Sequence, residues 1–433
     1  MLIINEKLKF IFYILGALGL ALISILSYYF APNLVYGLRK YIFRENPTKK
    51  PAKKTKKMWF FVFGVLIIAI TFTALADSAS SINDNQKMSG DYRVAVVPFS
   101  IQNREIDSVL GKDIASNLLL HIRNSIDNDS SNLVITIWGP DELGIGNVKY
   151  LSDSEKRAEA VAKIADQVGA DLVIYGSIET NGNTLVLTPE YLVHSRDFYQ
   201  ADEILGQYNL GAPITIQNYE DISDRFKVTK IMENRVQVLS QIILGLSYYS
   251  IKDYPQAKSE LLKADEIESW DAREGKQVLY ILLANVALRE NDLDSAESYF
   301  SKSLDIDNTY ARPMTGLANI YYRKALLPIQ KSNDPTDLDI SLINKSKEYL
   351  DMAMQTSNQP PLADIPLKVD FERGEIELAL RYGEFTNSFE PAISEFTKVI
   401  IAYGNGKNPR ILERAAESHA RIGLIYSLSN NIV

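Results

Sequence analysis

Two long apolar runs come first in the hydrophobic pattern of the chain. Residues 8–30 carry one charged side chain, Lys9, at one edge, and residues 58–76 carry none. Each run approaches the ~20 apolar residues that an α-helix needs to cross a bilayer core. The pattern therefore predicts two transmembrane helices, and a pair of buried core helices is the alternative.

The loop between these runs, residues 31–57, is strongly basic. Nine Lys and Arg residues stand against Glu45, so the loop carries a formal +8 and the rest of the chain −16, for a net −8. Short Lys- and Arg-rich loops stay on the cytoplasmic side of a membrane, which predicts a multi-pass cell-membrane location. Residues 1–7 would be a short outer N-terminus and 77–90 a flexible tether. The domains that follow would be extracytoplasmic, and whether the chain is cleaved after Ala76 stays open.

Short apolar runs alternate with helical periodicity after the tether. Continuous apolar runs are typical of strands buried on both faces of a sheet, whereas a period near 3.6 residues indicates helices. The predicted strands are 93–99, 133–138, 172–178 and 184–193, and the predicted helices are 107–126 and 152–168. This order predicts a small α/β domain with a mixed sheet, which together with a connector covers residues 91–215.

Two short motifs in this domain have a family likeness. The first strand ends in Pro98-Phe99, and Gly169-Ala170-Asp171 opens a later strand that contains Gly176. These motifs resemble the N-terminal α/β domain of periplasmic Tol-system propeller proteins and related envelope lipoproteins, over residues 91–195. The propeller of that group is absent, so its partners are not expected here. For Gly176 we predict a packing role, in which the glycine lets another backbone approach closely, rather than a ligand-binding role.

Helical periodicity continues over residues 225–433, and small residues recur in it at intervals. Leu283-Ala284 precedes Leu317-Ala318 by 34 residues, and Leu244-Gly245 precedes Leu283-Ala284 by 39. This spacing resembles the tetratricopeptide repeat (TPR) family. The resemblance implies an all-α solenoid of paired helices. The positions that carry it are Leu244, Gly245, Tyr248, Ala257 and Ala264 in the first unit, Leu283, Ala284, Ala296 and Phe300 in the second, and Leu317, Ala318 and Tyr321 in the third.

The predicted fold class is therefore multidomain: two transmembrane helices, a small α/β domain with a mixed sheet, and an all-α TPR solenoid. In the TPR family, ligands usually lie on the concave face formed by the first helix of each unit. The positions that match this face include Asn285, Arg289, Arg312, Asn319, Tyr322 and Arg323. Asparagines flanked by arginines could hold an extended peptide through its backbone and a carboxylate. Solvated helix residues are the alternative, and the family's full carboxylate-clamp pattern is not reproduced.

Residue types that support catalysis or cofactor binding are sparse. The chain has no Cys and only three His, far apart in sequence, which disfavours thiolate chemistry and a multi-histidine metal site. Gly111-Lys112 lacks the first glycine of a phosphate-binding loop. We therefore expect no enzyme, no cofactor, no metal and, because the rest of the chain is acidic, no nucleic-acid partner.

The resulting hypothesis is a membrane-anchored extracytoplasmic scaffold whose repeats bind other proteins. Membrane lipid is the other partner expected, through the two apolar runs and the basic loop. The alternative is an envelope sensory or transport accessory protein whose α/β domain binds a small ligand. An unrecognised hydrolase is a third reading.

Overall fold

The computed structural model describes residues 87–429, with gaps. The gaps are 103–109, 128–132, 145–148, 182–183, 195–203, 218–221, 268–269, 271–274, 357–359 and 407–411, and the side chains of 181, 222–229 and 405–406 are also not described. The segments predicted as outer N-terminus, transmembrane helices and basic loop, and most of the tether, lie outside the described residues.

Two predictions about the membrane are wrong on this structure. Within the described residues, no helix combines the length and the apolar character that crossing a bilayer requires. The helix Ile222–Ser250 has the length, at 29 residues, but its sequence includes Lys230, Glu233 and Arg235. The predicted fold class with two transmembrane helices is therefore corrected to a small α/β region followed mostly by helices. The predicted multi-pass cell-membrane location is contradicted by the same finding.

A mixed sheet forms the α/β region. Its strands are β1 (Tyr92–Val96), β2 (Ser100–Ile101), β3 (Ile135–Trp138), β4 (Leu172–Asn181), β5 (Thr184–Val193), β6 (Gly206–Asn209) and β7 (Ile214–Ile216). The order is β3-β1-β4-β5-β6, with β2 beside β4 and β7 beside β5. β1 runs parallel to β3 and β4, whereas β5 is antiparallel to β4, β6 and β7. The mixed sheet predicted from the alternation of runs is thus present.

Helices cover both faces of this sheet. They are α1 (Leu110–Asp127), α2 (Pro140–Leu143) and α3 (Ser154–Val168). Leu118 and Ile122 of α1 pack in one cluster with Val94 of β1, while Val161 of α3 packs in another with Ala95. Neighbouring residues of a strand point to opposite faces, which is why Val94 and Ala95 belong to different clusters.

Gly176 lies where another side chain occupies the space of a Cβ atom. A Cβ there would meet the ring of Phe99 at 2.2 Å and the carbonyl oxygen of Thr188 at 2.6 Å. Only glycine fits without moving its neighbours. The packing role predicted for Gly176 is confirmed: the backbone of Thr188 approaches it closely, and the ring of Phe99, from the other motif, lies closer still.

The rest of the described chain is helical. The helices are α4 (Ile222–Ser250), α5 (Tyr254–Asp265), α6 (Lys276–Arg289), α7 (Leu293–Ile306), α8 (Ala311–Ala325), α9 (Leu327–Ser332), α10 (Ile340–Gln355), α11 (Ile365–Tyr382), α12 (Glu390–Gly406) and α13 (Leu412–Ser429), with a 3-10 turn at Pro335–Asp337. Hairpins form from α4 with α5, α6 with α7, α8 with α10, and α11 with α12. The described residues therefore contain a TPR-like array of helical hairpins, in which α9 and the 3-10 turn are an insertion.

The first two hairpins turn in the same way. Lys252 (φ 66°) and Asn291 (φ 59°) take left-handed backbone conformations, and an aspartate follows each of them. Asp253 accepts a hydrogen bond from the backbone N–H of Gln256 at 3.3 Å, and Asp292 accepts one from Ser295 at 3.0 Å. Each aspartate caps the second helix of its pair, so the turn stops one helix and starts the next.

Small residues let the paired helices approach closely. A Cβ at Gly245 would meet the side chain of Leu261 at 2.6 Å, and one at Gly316 would meet the ring of Phe300 at 2.3 Å. Ala257 and Ala296 are fully buried. Of the twelve positions taken from the TPR resemblance, all except the half-buried Tyr248 are buried, as packing positions should be.

One hydrophobic cluster joins the sheet to the first repeats. It runs from Val94 and Ile122 in the α/β region through Leu239 of α4 to Leu279 of α6. α4 contacts α1 and β7 as well as its hairpin partner α5. The α/β region and the helical array therefore share a core.

Candidate functional site

A cavity of about 490 Å³ opens among the first helices of successive hairpins. Its walls come from α6, α8, α11 and α13, and we call it the first-helix cavity. Five of the six residues predicted as a peptide-binding face line it, and Arg312 does not. The lining residues used below are Asn285, Leu288, Arg289, Asn291, Asn319, Tyr322, Arg323, Lys368, Phe371, Glu372, Glu375, Arg414, Glu417 and Arg421.

The α6 wall carries an asparagine and an arginine one helical turn apart. Asn285 is buried, and its amide nitrogen donates to the carbonyl oxygen of Ile281 at 2.9 Å. The Nε of Arg289 donates to the hydroxyl of Tyr249 on α4, at 2.8 Å. The orientation of the Arg289 guanidinium is therefore fixed by a residue of the preceding hairpin.

The α8 wall repeats the same pair 34 residues later. Asn319 and Arg323 stand at the spacing of Asn285 and Arg289, so both pairs occupy equivalent positions on neighbouring first helices. Asn319 donates to Oε1 of Glu372 at 2.9 Å. Nη2 of Arg323 donates to the amide oxygen of Asn291 at 2.8 Å.

The opposite wall was not predicted from the sequence. Helices α11 and α13 form it. α11 contributes Lys368, Phe371, Glu372 and Glu375, and α13 contributes Arg414, Glu417 and Arg421. The guanidinium of Arg414 lies 4.5 Å from the centre of the Phe371 ring, while Arg421 bonds to Glu375. The fourth unit has few TPR residues, but Gly374 and Gly423 could have marked α11 and α13 as first helices.

Cations outnumber anions in this cavity. Five side chains are cationic and three are anionic, so the lining carries a formal +2 in a chain whose net charge is −8. Burial, and then the neighbouring charge of Arg289, lower the pKa of Arg323. Burial raises the pKa of Glu375, although Arg421 opposes the shift. The cavity is therefore a positively charged and partly desolvated site.

Arg312 lies elsewhere, at the contact between α8 and the sheet. It is fully buried, and its guanidinium donates to the carbonyl oxygens of Leu205 and Gln207 and to the hydroxyl of Tyr208, at 2.5, 3.0 and 2.6 Å. Its contacts bind β6 to the helical array. The structure thus places it in a structural contact rather than in the cavity with the other five.

A second cavity of about 330 Å³ lies where the α/β region meets the helices. Ser154 and Gln207 line it from the α/β side, and Gln277 and Asp307 line it from the helical side. Ser154 and Gln207 also bond to each other at 2.9 Å. We call it the junction cavity. Within the described residues, no group of three or more His, Asp or Glu side chains is placed to hold a metal ion.

Comparison with known proteins shows no family. No protein-family model matches the chain, and no curated protein matches it. One similar solved structure is titled "Functional Characterization of Pseudomonas Aeruginosa pilF". It is 16% identical with a TM-score of 0.27, over 46% of this chain and 76% of that one. A similarity this low supports no inference about fold or function, so the TPR-like description rests on the helical hairpins of this structure.

Proposed function

We propose that this chain is a protein-binding scaffold whose helical repeats hold a peptide segment of another protein in the first-helix cavity. The observation that carries the proposal is the repeated pair Asn285/Arg289 and Asn319/Arg323, which lines one cavity from neighbouring first helices. An amide side chain can bond to both the N–H and the C=O groups of a peptide backbone. The fork of an arginine side chain suits the carboxylates of a peptide.

The size and the walls of the cavity fit this role. A volume of about 490 Å³ lies within the range of roughly 300–1,000 Å³ that is usual for ligand pockets. Leu288 and Phe371 offer apolar contact beside the polar pairs. We therefore propose a binding role, in which side chains on packed helices contact the bound segment and select it.

Peptide selection against the full chain tests the proposal. Peptides selected from a random library should lose affinity for Leu288→Trp, which fills the cavity, by at least about tenfold. Leu327→Trp is the matched control, because Leu327 is 39% exposed and lies outside the cavity. Equal affinities for wild type and Leu288→Trp would place peptide binding elsewhere and contradict the proposal.

The junction cavity supports a second candidate, binding of a small ligand against the α/β region. Its polar wall, with Ser154, Gln207 and Asp307, suits a small hydrogen-bonding molecule. A screen of metabolites by thermal shift of the full chain tests it. A hit that Gln277→Ala abolishes, in a protein for which the library yields no binding peptide, would favour this function over the scaffold.

A further inference from the structure

The junction cavity has a rigid polar wall on its α/β side. The guanidinium of Arg157 bonds twice to the carboxylate of Glu190, which also accepts from Nε2 of Gln207 at 2.6 Å. The hydroxyl of Ser154 donates in turn to Oε1 of Gln207 at 2.9 Å. Ser154 and Gln207 line the cavity. Because the hydroxyl proton of Ser154 is used within this network, its oxygen is left to act as an acceptor for a ligand.

The helical side of the cavity adds further acceptors. Asp307 lines it with a carboxylate, a group that only accepts hydrogen bonds when ionised. Gln277 of α6 also lines it, and Oε1 of Gln277 is buried without a hydrogen-bond partner in the described part of the chain. A buried acceptor without a donor raises the free energy of the fold, so a ligand donor that Gln277 reaches by rotating its amide would relieve it. The cavity therefore suits a ligand with several hydrogen-bond donors.

The charges near the cavity favour an uncharged ligand. Among the residues that the structure describes, the lining contains one acidic side chain, Asp307, and no basic one. Arg312 is outside the lining, but its guanidinium contacts the lining residue Tyr208. Burial raises the pKa of Tyr310, the charge of Arg312 opposes this shift and the charge of Asp307 adds to it, so both charges act on one lining residue. A ligand of either sign would therefore meet a charge of its own sign.

The apolar part of the wall favours an aliphatic ring over a flat aromatic one. Flat bases bind proteins largely by stacking on aromatic faces, and the ring of Tyr208 already stacks on Tyr191 and contacts Arg312. A volume of about 330 Å³ lies at the lower end of the roughly 300–1,000 Å³ that is usual for ligand pockets, which suits one ring. The other apolar side chains of the lining are aliphatic: Ala212, Pro213, Val278, Pro360 and Pro361.

We propose that the junction cavity binds one uncharged sugar ring, whose hydroxyl groups donate to Ser154, Asp307 and Gln277. The proposal rests on small-ligand binding, the second candidate function above, and names the class of that ligand. A sugar ring carries hydroxyl donors around its edge and C–H groups on its faces, which matches the polar network and the proline wall. This cavity shares no lining residue with the first-helix cavity, so the site does not depend on peptide binding.

Glucose, galactose and mannose are the probes, screened against the full chain by saturation-transfer NMR and titrated by calorimetry. At least one of them should bind. The amino-sugar and uronate counterparts of that sugar add one positive or one negative charge. Both should bind at least about tenfold more weakly, because a further buried charge without a counterpart is costly.

Gln277→Met removes the amide and nearly keeps the size of the side chain, so it should weaken sugar binding at least about tenfold. Its melting temperature should equal or exceed that of the wild type, because the variant also removes a buried acceptor without a partner. Gln241→Met is the matched control. Oε1 of Gln241 is likewise buried without a partner in the described residues, but Gln241 lies on α4 and lines neither cavity. This variant should bind sugar like the wild type.

The outcomes separate the ligand class from the small-ligand function. A neutral sugar whose binding Gln277→Met weakens and Gln241→Met leaves unchanged supports both. A charged counterpart that binds through Gln277 as tightly as the neutral sugar overturns the class and leaves the function standing. The same holds if no sugar binds but another metabolite binds through Gln277. If nothing binds through Gln277, the class and the small-ligand function are both wrong, and the peptide test with Leu288→Trp is read independently.

Discussion

The guanidinium of Arg312 lies 4.0 Å from the centre of the Tyr208 ring and donates to its hydroxyl at 2.6 Å. Tyr208 in turn stacks on Tyr191, with ring centres 5.0 Å apart. Arg312 belongs to α8 of the third hairpin, and the two tyrosines belong to the sheet. One fully buried arginine thus holds the helical array against the edge of the α/β region.

Removing this arginine should destabilise the protein strongly. Arg312→Met would leave the carbonyl oxygens of Leu205 and Gln207 without that donor, and a buried unsatisfied polar group costs about 1–3 kcal/mol. We expect a loss of at least about 3 kcal/mol in the free energy of unfolding, measured by urea denaturation. Arg373→Met should cost about 1 kcal/mol or less, because Arg373 forms a surface ion pair. Similar losses in both variants would contradict this role for Arg312.

Gly316 of α8 and Gly423 of α13 should respond differently to substitution by alanine: one variant should be less stable than the wild type and the other more stable. At Gly316 a Cβ would lie 2.3 Å from the ring of Phe300, so Gly316→Ala should cost about 1–3 kcal/mol through overpacking. At Gly423 a Cβ would meet no described group within 4 Å outside the backbone of its own helix, so Gly423→Ala should stabilise by up to about 1 kcal/mol through helix propensity. Thermal unfolding measures both, and a stabilising Gly316→Ala would disprove the close packing.

The features that repeat along the chain could be predicted from the sequence. The pairs Asn285/Arg289 and Asn319/Arg323 follow the 34-residue interval, and equal positions in equal units face the same way. In the α/β region, four of the seven described strands (β1, β3, β4 and β5) and two of the three described helices (α1 and α3) were also predicted from local patterns, whereas β6 and β7 lie in the predicted connector. Both kinds of inference use local spacing, which fixes the face of an element on which a residue lies.

The features that depend on what packs against an element could not be predicted. Arg312 stands seven residues before Asn319, about two helical turns, so the pattern puts both on one stripe of α8. β6 covers the start of that stripe, and the cavity opens only at its other end. The wall with Glu375 and Arg421 was missed because the unit that holds it has few of the repeat's residues.

A buried ion pair in the α/β region should show strong coupling. The guanidinium of Arg157 bonds twice to the Glu190 carboxylate, at 2.7 and 2.8 Å, and Gln207 donates to the same carboxylate at 2.6 Å. Because Glu190 is only 1% exposed, Glu190→Gln should cost about 3–5 kcal/mol by leaving a buried charge uncompensated. In the Glu190→Gln variant, Arg157→Met should lower the free energy of unfolding much less than it does in the wild type. Additive losses in a double-mutant cycle of urea unfolding would show that the pair is not coupled.

Two aspartates should change stability with pH in opposite directions. Burial raises the pKa of Asp370, so its ionised form is disfavoured in the folded protein. Asp370→Asn should therefore stabilise the fold above the raised pKa, and this advantage should disappear as the pH falls toward the ordinary aspartate value. The hydrogen bonds that Asp334 accepts from Thr336, at 2.7 and 2.9 Å, lower the pKa of Asp334.

The contribution of Asp334 therefore has the opposite sign. It is present above the ordinary aspartate pKa and is lost as the pH falls through the lowered value, so Asp334→Asn should destabilise the fold slightly at neutral pH. Urea unfolding of both variants between pH 4 and pH 8 gives the comparison. If Asp370→Asn lowered the free energy of unfolding at pH 7.5, the carboxylate would be favoured by its surroundings and the burial argument would fail.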